Sequence, residues 1–460
     1  MALPMTSSNG SGYIAAAVRR DAEAESMARK RRVRDAWQAY YGTTPAPLQP
    51  SKRPDGKPDS TDDVPVNMSR LVVDEGVSFL FGKPVTFTVP ETAPEGTQEL
   101  LDRIWEQNRQ PQVLHDLALN GAVAGHTFYK IIPPAAAGQA PRVVVVDPSN
   151  VDMECDPDDV DTIVRYTITW TVVRQGDVYQ RRQTITVNDG GGSWTITDEE
   201  SSADSISWRV LDTTTWAFPW PPVGHCKNLP APNELWGTAD LEPSVTGLDQ
   251  SLRFLLSNLR RIVRFHAHPK TIASGLRAKD LQTGPDGLLV LPSPESRIWN
   301  LEMQSDLASS LELYGRIKEA LHQTARVPEV AAGKVDQVGN LSGIALQILF
   351  SPLLQKTETK RVLYGHMLSQ ASGRLLALMG ATVDRPVQVT WPELLPKDSQ
   401  AEANTAVTLQ TLGVSVSTLL ERLGFDPALE ADRRMQDPSR AGADLLRAFA
   451  GPDTVPNEQL

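Results

Sequence analysis

The chain has 460 residues, of which 40% are hydrophobic and 22% are charged, and a formal net charge of −11 at pH 7. The hydrophobic content excludes wholesale disorder, and the length indicates roughly two to four domains. The acidic balance argues against a protein that coats nucleic-acid phosphates without sequence preference, but not against one that DNA slides past.

Cysteine content and hydropathy indicate a soluble protein of a reducing compartment. Cys155 and Cys226 are the two cysteines, which excludes a disulfide scaffold in a chain of this size. Residues 1–12 lack the charged and apolar regions of a signal peptide, and no apolar run approaches the ~20 residues of a membrane span. We therefore expect a cytoplasmically made protein without membrane association.

The first predicted element is a helix over residues 19–41, rich in Ala, Glu and Arg. It contains the basic run Arg29-Lys30-Arg31-Arg32. Such a run is typical either of a nucleic-acid or partner contact or of a solvated helix face. Because Glu23, Glu25 and Asp35 lie nearby, the solvated face is the favoured interpretation.

Residues 43–65 are dense in Pro, Ser, Lys and Asp, which predicts a mobile linker. Gly82-Lys83-Pro84 is expected to end the helix that follows the linker. Pro111 is expected to interrupt the next helical stretch. The predicted segments in this region are a helix over 67–80, a strand over 85–89 and helical structure over 98–124.

Residues 127–220 differ in character, because runs rich in Val, Ile, Thr and Trp alternate with turn signals. Asp147-Pro148 and the stretch 188–191 are two of these signals. The pattern predicts an antiparallel β subdomain. The predicted strands are 128–132, 143–146, 163–173, 183–187, 193–197 and 207–211.

A strict seven-residue apolar repeat predicts one long helix over 241–265. Acidic residues at its start and arginines at its end suit the helix dipole. A helix with such a stripe must bury it against a neighbour. The repeat positions are Leu241, Val245, Leu248, Leu252, Leu255, Leu259 and Ile262.

Two further long helices are predicted, over 306–326 and over 342–379. The second would be on the order of 55 Å long, and Pro352 inside it is expected to produce a kink. A compact insert precedes them, with short strands near 287–291 and 297–301. A loop over 329–340, containing Gly333 and Gly339, separates the two helices.

Catalytic and metal motifs are missing from the sequence. No Gly-Lys pair has the spacing of a phosphate-binding loop, and no nucleophile elbow or zinc motif is present. His266 and His268 have no indicated third metal ligand. Asp156, Asp158, Asp159 and Asp161 lack the glycine and glutamate of a calcium loop and are interpreted as an acidic turn. We expect no enzyme activity, metal or cofactor.

The segment 405–423 has the pattern of a helix-turn-helix, with Gly413 at the turn. One interpretation is recognition of the DNA major groove. The second helix, however, would present Thr418, Glu421 and Arg422, with a single base among them. A packed helical hairpin is therefore favoured.

Three blocks in a fixed order resemble the SPP1-type portal proteins of tailed bacteriophages. Residues 67–84 are similar to a helix of that family that ends in Gly-Lys-Pro before a strand. Residues 236–275 are similar to its stem-entering helix and the start of its clip. Residues 327–355 contain Ser342, Gly343, Ala345 and Leu346, a motif that follows a loop and opens a kinked helix.

The resemblance implies an α+β portal-like subunit with a β-rich wing, long stem helices, a small α/β clip, a kinked long helix and a helical crown. The implied order is an N-terminal helix and linker (1–66), wing (67–240), stem helix 1 (241–265), clip (266–305), stem helix 2 (306–327), tunnel loop (328–341), kinked helix and wing return (342–397), crown (398–450) and flexible tail (451–460).

The resemblance also implies a ring of identical subunits, usually twelve, at one vertex of the virion capsid. Double-stranded DNA would pass through it non-specifically during packaging and ejection. The implied protein partners are the terminase large subunit, a head-tail adaptor, and the major capsid and scaffolding proteins. The tunnel-loop residues expected at the channel are Lys334, Asp336, Gln337 and Asn340.

Lys334 has two interpretations, a weak single contact to passing phosphates and an ion pair with Asp336 or a neighbouring subunit. The leading hypothesis for the chain is a DNA conduit without catalysis. A DNA-binding regulator that uses residues 405–423 is the alternative. An enzyme with a non-motif active site in 127–220 is a third hypothesis, for which no convergent triad is visible.

Overall fold

A computed structural model describes residues 9–49, 62–136, 138–188, 190–202, 207–267, 270–274, 295, 297–301, 307–329, 343–395, 408–422 and 426–436. The fold is α+β, as predicted. Its α-helices are α1 (Asn9–Tyr41), α2 (Met68–Phe81), α3 (Thr97–Gln107), α4 (Gln110–Ala124), α5 (Pro243–Ala267), α6 (Leu307–Ala325), α7 (Gly343–Leu378), α8 (Val416–Arg422) and α9 (Pro427–Gln436).

Twelve strands lie within the same described residues. They are β1 (Thr86–Thr88), β2 (His126–Ile132), β3 (Arg142–Val146), β4 (Val151–Cys155), β5 (Ile163–Arg174), β6 (Asp177–Val187), β7 (Trp194–Ser202), β8 (Arg209–Trp216), β9 (Val223–Lys227), β10 (Lys270–Ser274), β11 (Arg297–Leu301) and β12 (Gln388–Thr390).

The predicted antiparallel β subdomain is confirmed. β4 to β8 form a five-stranded sheet in sequence order, and β2 lies between β3 and β9 in a three-stranded sheet. The sequence missed β4 and β9, which are short and carry polar or glycine residues. β1 pairs with β12, so the segment after α2 is joined to the segment after α7.

Helix boundaries in the first part of the chain follow local signals. The side chain of Asn67 accepts a hydrogen bond from the backbone N–H of Arg70 at 2.8 Å, which caps α2. The break predicted at Pro111 is confirmed, since α3 ends at Gln107 and α4 begins at Gln110. Arg109 between them has a positive φ of 53°, so the chain changes direction there.

Two hydrophobic cores lie within the compact unit that comprises residues up to 340 and 348–392. The larger core is mostly helical and includes Trp105, Leu252, Tyr364 and Leu375. The smaller core lies against the five-stranded sheet and includes Val151, Ile185 and Trp194. The β-rich region therefore has a core of its own beside the helical one.

The long helices match their predicted positions with small shifts. α5 begins at Pro243, so Leu241 precedes the helix instead of opening it. The reason is that proline disfavours helical structure in the residue before it and is itself favoured in a first turn. Pro352 lies inside the 36 residues of α7, and the kink there stays a prediction.

The region predicted to be the clip is described only in part. β11 occupies the predicted strand 297–301, and its antiparallel partner is β10, which was not predicted. The predicted strand 287–291 and His268 lie outside the described residues.

The second unit, residues 341–347 and 393–460, contains α8 and α9. A helical turn over 408–411 precedes a turn at Gly413, whose φ is +91°. Ser415 then lies at the start of α8, and its hydroxyl accepts a hydrogen bond from the N–H of Thr418 at 3.3 Å. α8 also contacts α9, which lies beyond the segment 405–423 of the predicted hairpin, so that hairpin stays a prediction.

Candidate functional site

The paired helices α5 and α6 carry the predicted stem stripe. Within it, Val245, Leu252 and Leu259 are buried, whereas Leu248, Leu255 and Ile262 are half-buried. Tyr314 and Ile317 of α6 pack against the same core as Val245 and Leu252. Leu241 is also buried in that core, although it lies outside the helix. The repeat positions Val245, Leu252 and Leu259 are therefore covered by residues of the same chain.

Several large apolar side chains of the pair are exposed, on more than one side of each helix. The side chains of Phe254, Val263, Leu311 and Leu313 are 43%, 52%, 57% and 49% exposed. Phe254, Leu313 and Ile317 line an open groove of about 420 Å³, together with Pro47 and Leu255. Large apolar side chains concentrated on two adjacent helices are typical of a surface that another protein covers.

The arginines of α5 are held by an acidic segment from the predicted linker. Arg253 donates to both carboxylate oxygens of Asp63, at 3.0 and 2.5 Å. Arg261 and Arg264 donate to one oxygen of Asp62, at 2.9 and 3.1 Å. The side chain of Asp62 is almost fully buried. The described ends of the linker are thus fixed to α5, contrary to the prediction of a mobile segment.

A buried charge cluster joins the beginning of α5, the end of α6 and the middle of α7. Asp240 accepts from Lys360 at 2.6 Å and lies 3.1 Å from the ammonium of Lys356. Lys356 also donates to the carbonyl of Ala325, the last residue of α6, at 3.0 Å. Asn228 donates to Oδ1 of Asp240 at 3.2 Å, the oxygen that Lys356 also approaches.

The two lysines determine the ionisation of Asp240. Burial alone would raise the pKa of this carboxyl, but the charges and hydrogen bonds of Lys356 and Lys360 outweigh burial and lower its pKa to about 2. Burial lowers the pKa of Lys360, and Asp240 opposes that effect. With two ammonium groups and one carboxylate, the cluster carries an excess positive charge inside the core.

The sequence contains a signal for this cluster. Lys356 and Lys360 are four residues apart, on the same helix face as the buried Leu353 and Tyr364. Two lysines on an apolar face imply a buried carboxylate partner, because unpaired buried charges are strongly unfavourable.

The predicted tunnel-loop residues Lys334, Asp336, Gln337 and Asn340 lie outside the described residues. On the α6 side of the loop, Lys318 forms an ion pair with Glu329 at 2.5 Å. Arg326 has a positive φ of 56°, and Val327 is buried after it. The chain therefore turns sharply out of α6 as it approaches the loop.

The basic run of α1 is divided between two environments. Arg29 is buried, donates to the carbonyl of Val151 at 2.7 Å and lies 3.7 Å from the ring centroid of Trp236. Lys30 forms an ion pair with Asp152. Arg31 and Arg32 are exposed. The solvated-face interpretation is wrong for Arg29, because this side chain fastens α1 to the β subdomain.

The helix-turn-helix segment offers a short second helix. α8 has seven residues, and Leu419 on it is buried while Leu412 and Val416 are exposed. Residues 405–407 and 423 lie outside the described residues. The acidic residues 156–161 form the predicted turn between two strands, with the hydroxyl of Thr162 donating to Asp159 at 2.6 Å.

Two features are absent from the described residues. None of their helices has the length and apolarity needed to cross a bilayer. Nor do they contain a group of three or more His, Cys, Asp or Glu side chains placed to hold a metal ion.

Comparison with solved structures shows likeness to neck assemblies. The chain is similar to one in the neck of an empty GTA particle computed with C6 symmetry, with a TM-score of 0.50 and 12% identity over 79% of this chain and 91% of that one. It is also similar to one in the neck of a native GTA particle computed with C12 symmetry, with a TM-score of 0.46 and 12% identity over 78% and 90%. At this identity the first likeness concerns the fold alone.

No curated protein sequence matches the chain. Residues 22–212 and 246–435 match the family described as phage portal protein, SPP1 Gp6-like. The match covers more than half of the chain and includes most of the β subdomain, most of α5, and all of α6 and α7. The chain therefore belongs to the SPP1 Gp6-like family of phage portal proteins.

Proposed function

We propose that copies of this portal-family chain form a closed ring, with twelve subunits the expected number, through which double-stranded DNA enters and leaves the capsid. The observation that carries the proposal is the exposed apolar face of α5 and α6 around the groove lined by Phe254, Leu313 and Ile317. In a ring with heterologous contacts, each subunit covers such a face of the next one.

The charge of the chain supports a conduit that DNA does not adhere to. Each subunit contributes a formal charge of −11, so a ring of many copies is strongly acidic. Repulsion between acidic walls and phosphates favours sliding over binding. Lys334 in the tunnel loop would then make at most a weak, single contact with a passing phosphate, or an ion pair with Asp336.

The partners follow from the place that such a ring would occupy. The clip, residues 266–305, is the proposed docking surface for the terminase large subunit during packaging and for a head-tail adaptor afterwards. The major capsid and scaffolding proteins would contact the ring at the capsid vertex. Subunits would assemble in the host cytoplasm, and the mature ring would belong to the virion. ATP hydrolysis is assigned to the motor, since the sequence has no phosphate-binding loop.

Native mass spectrometry and end-on electron micrographs of the purified full chain test the ring. We expect a high-mass closed species and annular particles with a central hole. Compact single subunits at all concentrations, with and without capsid proteins, would count against the proposal.

A variant pair tests the proposed contact face. Phe254→Glu and Leu313→Glu place charges in the exposed groove, so they should prevent ring formation while circular dichroism and the unfolding midpoint stay close to the wild-type values. Val173→Glu is the matched control, because Val173 is a 66% exposed apolar residue on β5, away from the two helices. Rings of normal stability in both groove variants would exclude this face as the contact.

The DNA-binding regulator hypothesis makes a different prediction. It requires salt-dependent, sequence-selective DNA binding that is lost when Thr418 and Arg422 are replaced by alanine. A gel-shift series with competitor DNA measures this. The family of the chain and the short α8 favour the ring.

A further inference from the structure

A cavity of about 240 Å³ lies within the larger unit, between the β subdomain and α7. Tyr166 of β5 and Trp194 of β7 form one side, and His225 of β9 and Arg374 of α7 form another. The volume is below the usual range for drug-sized ligands and fits a molecule of only a few heavy atoms.

Hydrogen bonds fix the protonation of His225. The N–H of Gly237 donates to Nδ1 of His126 at 3.4 Å, so this nitrogen carries no proton. Burial lowers the pKa of both histidines, to about 4 for His225, which keeps both rings neutral at pH 7. His126 therefore carries its proton on Nε2 and donates to Nδ1 of His225 at 2.8 Å.

The consequence is a donor directed away from His126. Because Nδ1 of His225 accepts, its single proton must be on Nε2. Among the described residues, no hydrogen-bond acceptor is found for this Nε2–H, and the ring lines the cavity. Because the cavity is open to solvent, this donor can bind an acceptor group of a ligand in place of water.

Arg374 adds a positive charge to the same cavity. One of its terminal nitrogens donates to the carbonyl of Val223 at 3.1 Å, and the guanidinium lies 5.5 Å from the ring centroid of Trp220. Within the described part of the chain no carboxylate forms an ion pair with it. The guanidinium also hydrogen-bonds to Tyr129, and its other N–H groups are available to bind an oxyanion.

The acidic group at the rim of the cavity, Asp161, does not repel an anion strongly enough to keep it out. Asp161 at the rim is the acidic residue that lines the cavity, and its side chain is 85% exposed and 3.5 Å from Lys227. Water and Lys227 therefore screen its charge. The hydroxyl of Tyr166 provides a third polar group at the cavity wall.

We propose that this cavity binds a small carboxylate, with Arg374 as its counter-ion and His225 Nε2–H and the Tyr166 hydroxyl as additional donors. The ligand class is a mono- or dicarboxylate of a few carbon atoms, since Trp194, Ile163 and Val223 supply apolar wall for a short chain. This site is separate from the exposed face of α5 and α6 and does not depend on ring formation.

The test is calorimetric titration and thermal unfolding of the full chain with succinate, acetate and phosphate, with sodium chloride matching the ionic strength. We expect succinate or acetate to raise the unfolding midpoint saturably by a few degrees, whereas chloride does not. Arg374→Met should abolish the shift, and Tyr166→Phe, which removes only a hydroxyl, should weaken binding about 3- to 10-fold. Arg165→Met is the control, since Arg165 neighbours Tyr166 on β5 but pairs with Glu154 at 3.1 Å.

Three results would overturn the proposal. The first is a carboxylate effect no larger than that of chloride. The second is an equal effect in wild type and in Tyr166→Phe, which stays informative if Arg374→Met fails to fold. The third is a phosphate effect that exceeds the carboxylate effect and needs Arg374, which would assign the cavity to another anion.

Discussion

The cluster of Asp240, Lys356 and Lys360 allows a quantitative prediction from charge counting. In Asp240→Asn, two buried ammonium groups lose their only carboxylate among the described partners. Removing one member of a buried ion pair costs about 3–5 kcal/mol of unfolding free energy, because a charge stays behind uncompensated. We expect a loss of this size at pH 7.

The pH dependence of Asp240 gives a second estimate of similar size. Its pKa is about 2 in the folded chain, against about 3.9 for an unperturbed aspartate. A lowered carboxyl pKa contributes stability above the unfolded value, and this is lost as pH falls through the folded value. A shift of this size corresponds to roughly 2–3 kcal/mol, lost between about pH 4 and pH 2.

Lys360→Met should behave differently. It removes one of two positive charges and leaves a balanced pair of Asp240 and Lys356, while methionine preserves most of the buried volume. We therefore expect a loss below about 1.5 kcal/mol, although Lys360 lies closer to Asp240 than Lys356 does.

Urea unfolding of the full chain, with the midpoint and slope fitted separately, measures both variants. Glu154→Gln is the control, since it breaks an exposed pair with Arg165 and should cost at most about 1 kcal/mol. In Asp240→Asn, raising the pH from 7 to 9 should recover stability, because the pKa of Lys360 is lowered by burial and the unfolded chain then binds more protons. Equal losses of unfolding free energy in Asp240→Asn and Lys360→Met would refute the argument that the cluster has one positive charge in excess.

Three further predictions concern other parts of the larger unit. In Gly121→Ala, the new Cβ would lie 1.9 Å from the hydroxyl oxygen of Tyr364, so we expect a loss of about 1–3 kcal/mol in urea unfolding, partly recovered by adding Tyr364→Phe. Because the pKa values of His126 and His225 are lowered, the unfolded chain binds more protons below pH 6.5; stability should fall by about 1.4 kcal/mol per histidine per pH unit towards pH 4, and His225→Gln should flatten that slope. Pro352→Ala should keep the fold but impair assembly or packaging, and wild-type packaging by this variant would contradict the kink hypothesis.

Elements with a clear period or a strong local signal could be predicted from the sequence. The heptad located α5 within two residues at each end, and Pro111 and Asn67 marked real helix boundaries. β4 and β9 were missed because each has only five residues, and β9 begins directly after two prolines with a glycine inside it. Their pairing is specified by neighbouring strands that are distant in sequence.

The environments of individual charged residues depend more on long-range contacts than the positions of helices and strands do. The composition of residues 43–65 predicts a mobile linker, but Asp62 and Asp63 are fixed by arginines about 190 residues later in the chain. Likewise, Arg29 belongs to a basic run whose other members are partly exposed, and only the position of Trp236 and Val151 explains its burial. Local composition contains no information about such partners.

The contrast between local sequence signals and long-range contacts also bears on where subunits are expected to meet. The heptad predicts that α5 needs a neighbour but not which chain provides it. Near the base of the helix, Val245 and Leu252 are covered within the chain, and Asp249 accepts from the backbone N–H of Met68 at 3.0 Å, which fixes α2 against α5. Further along, Phe254 and Val263 are exposed. Contacts between subunits should therefore concentrate on the later half of α5, since a neighbour that bound the earlier half would have to displace α2 and break the hydrogen bond from Met68 to Asp249.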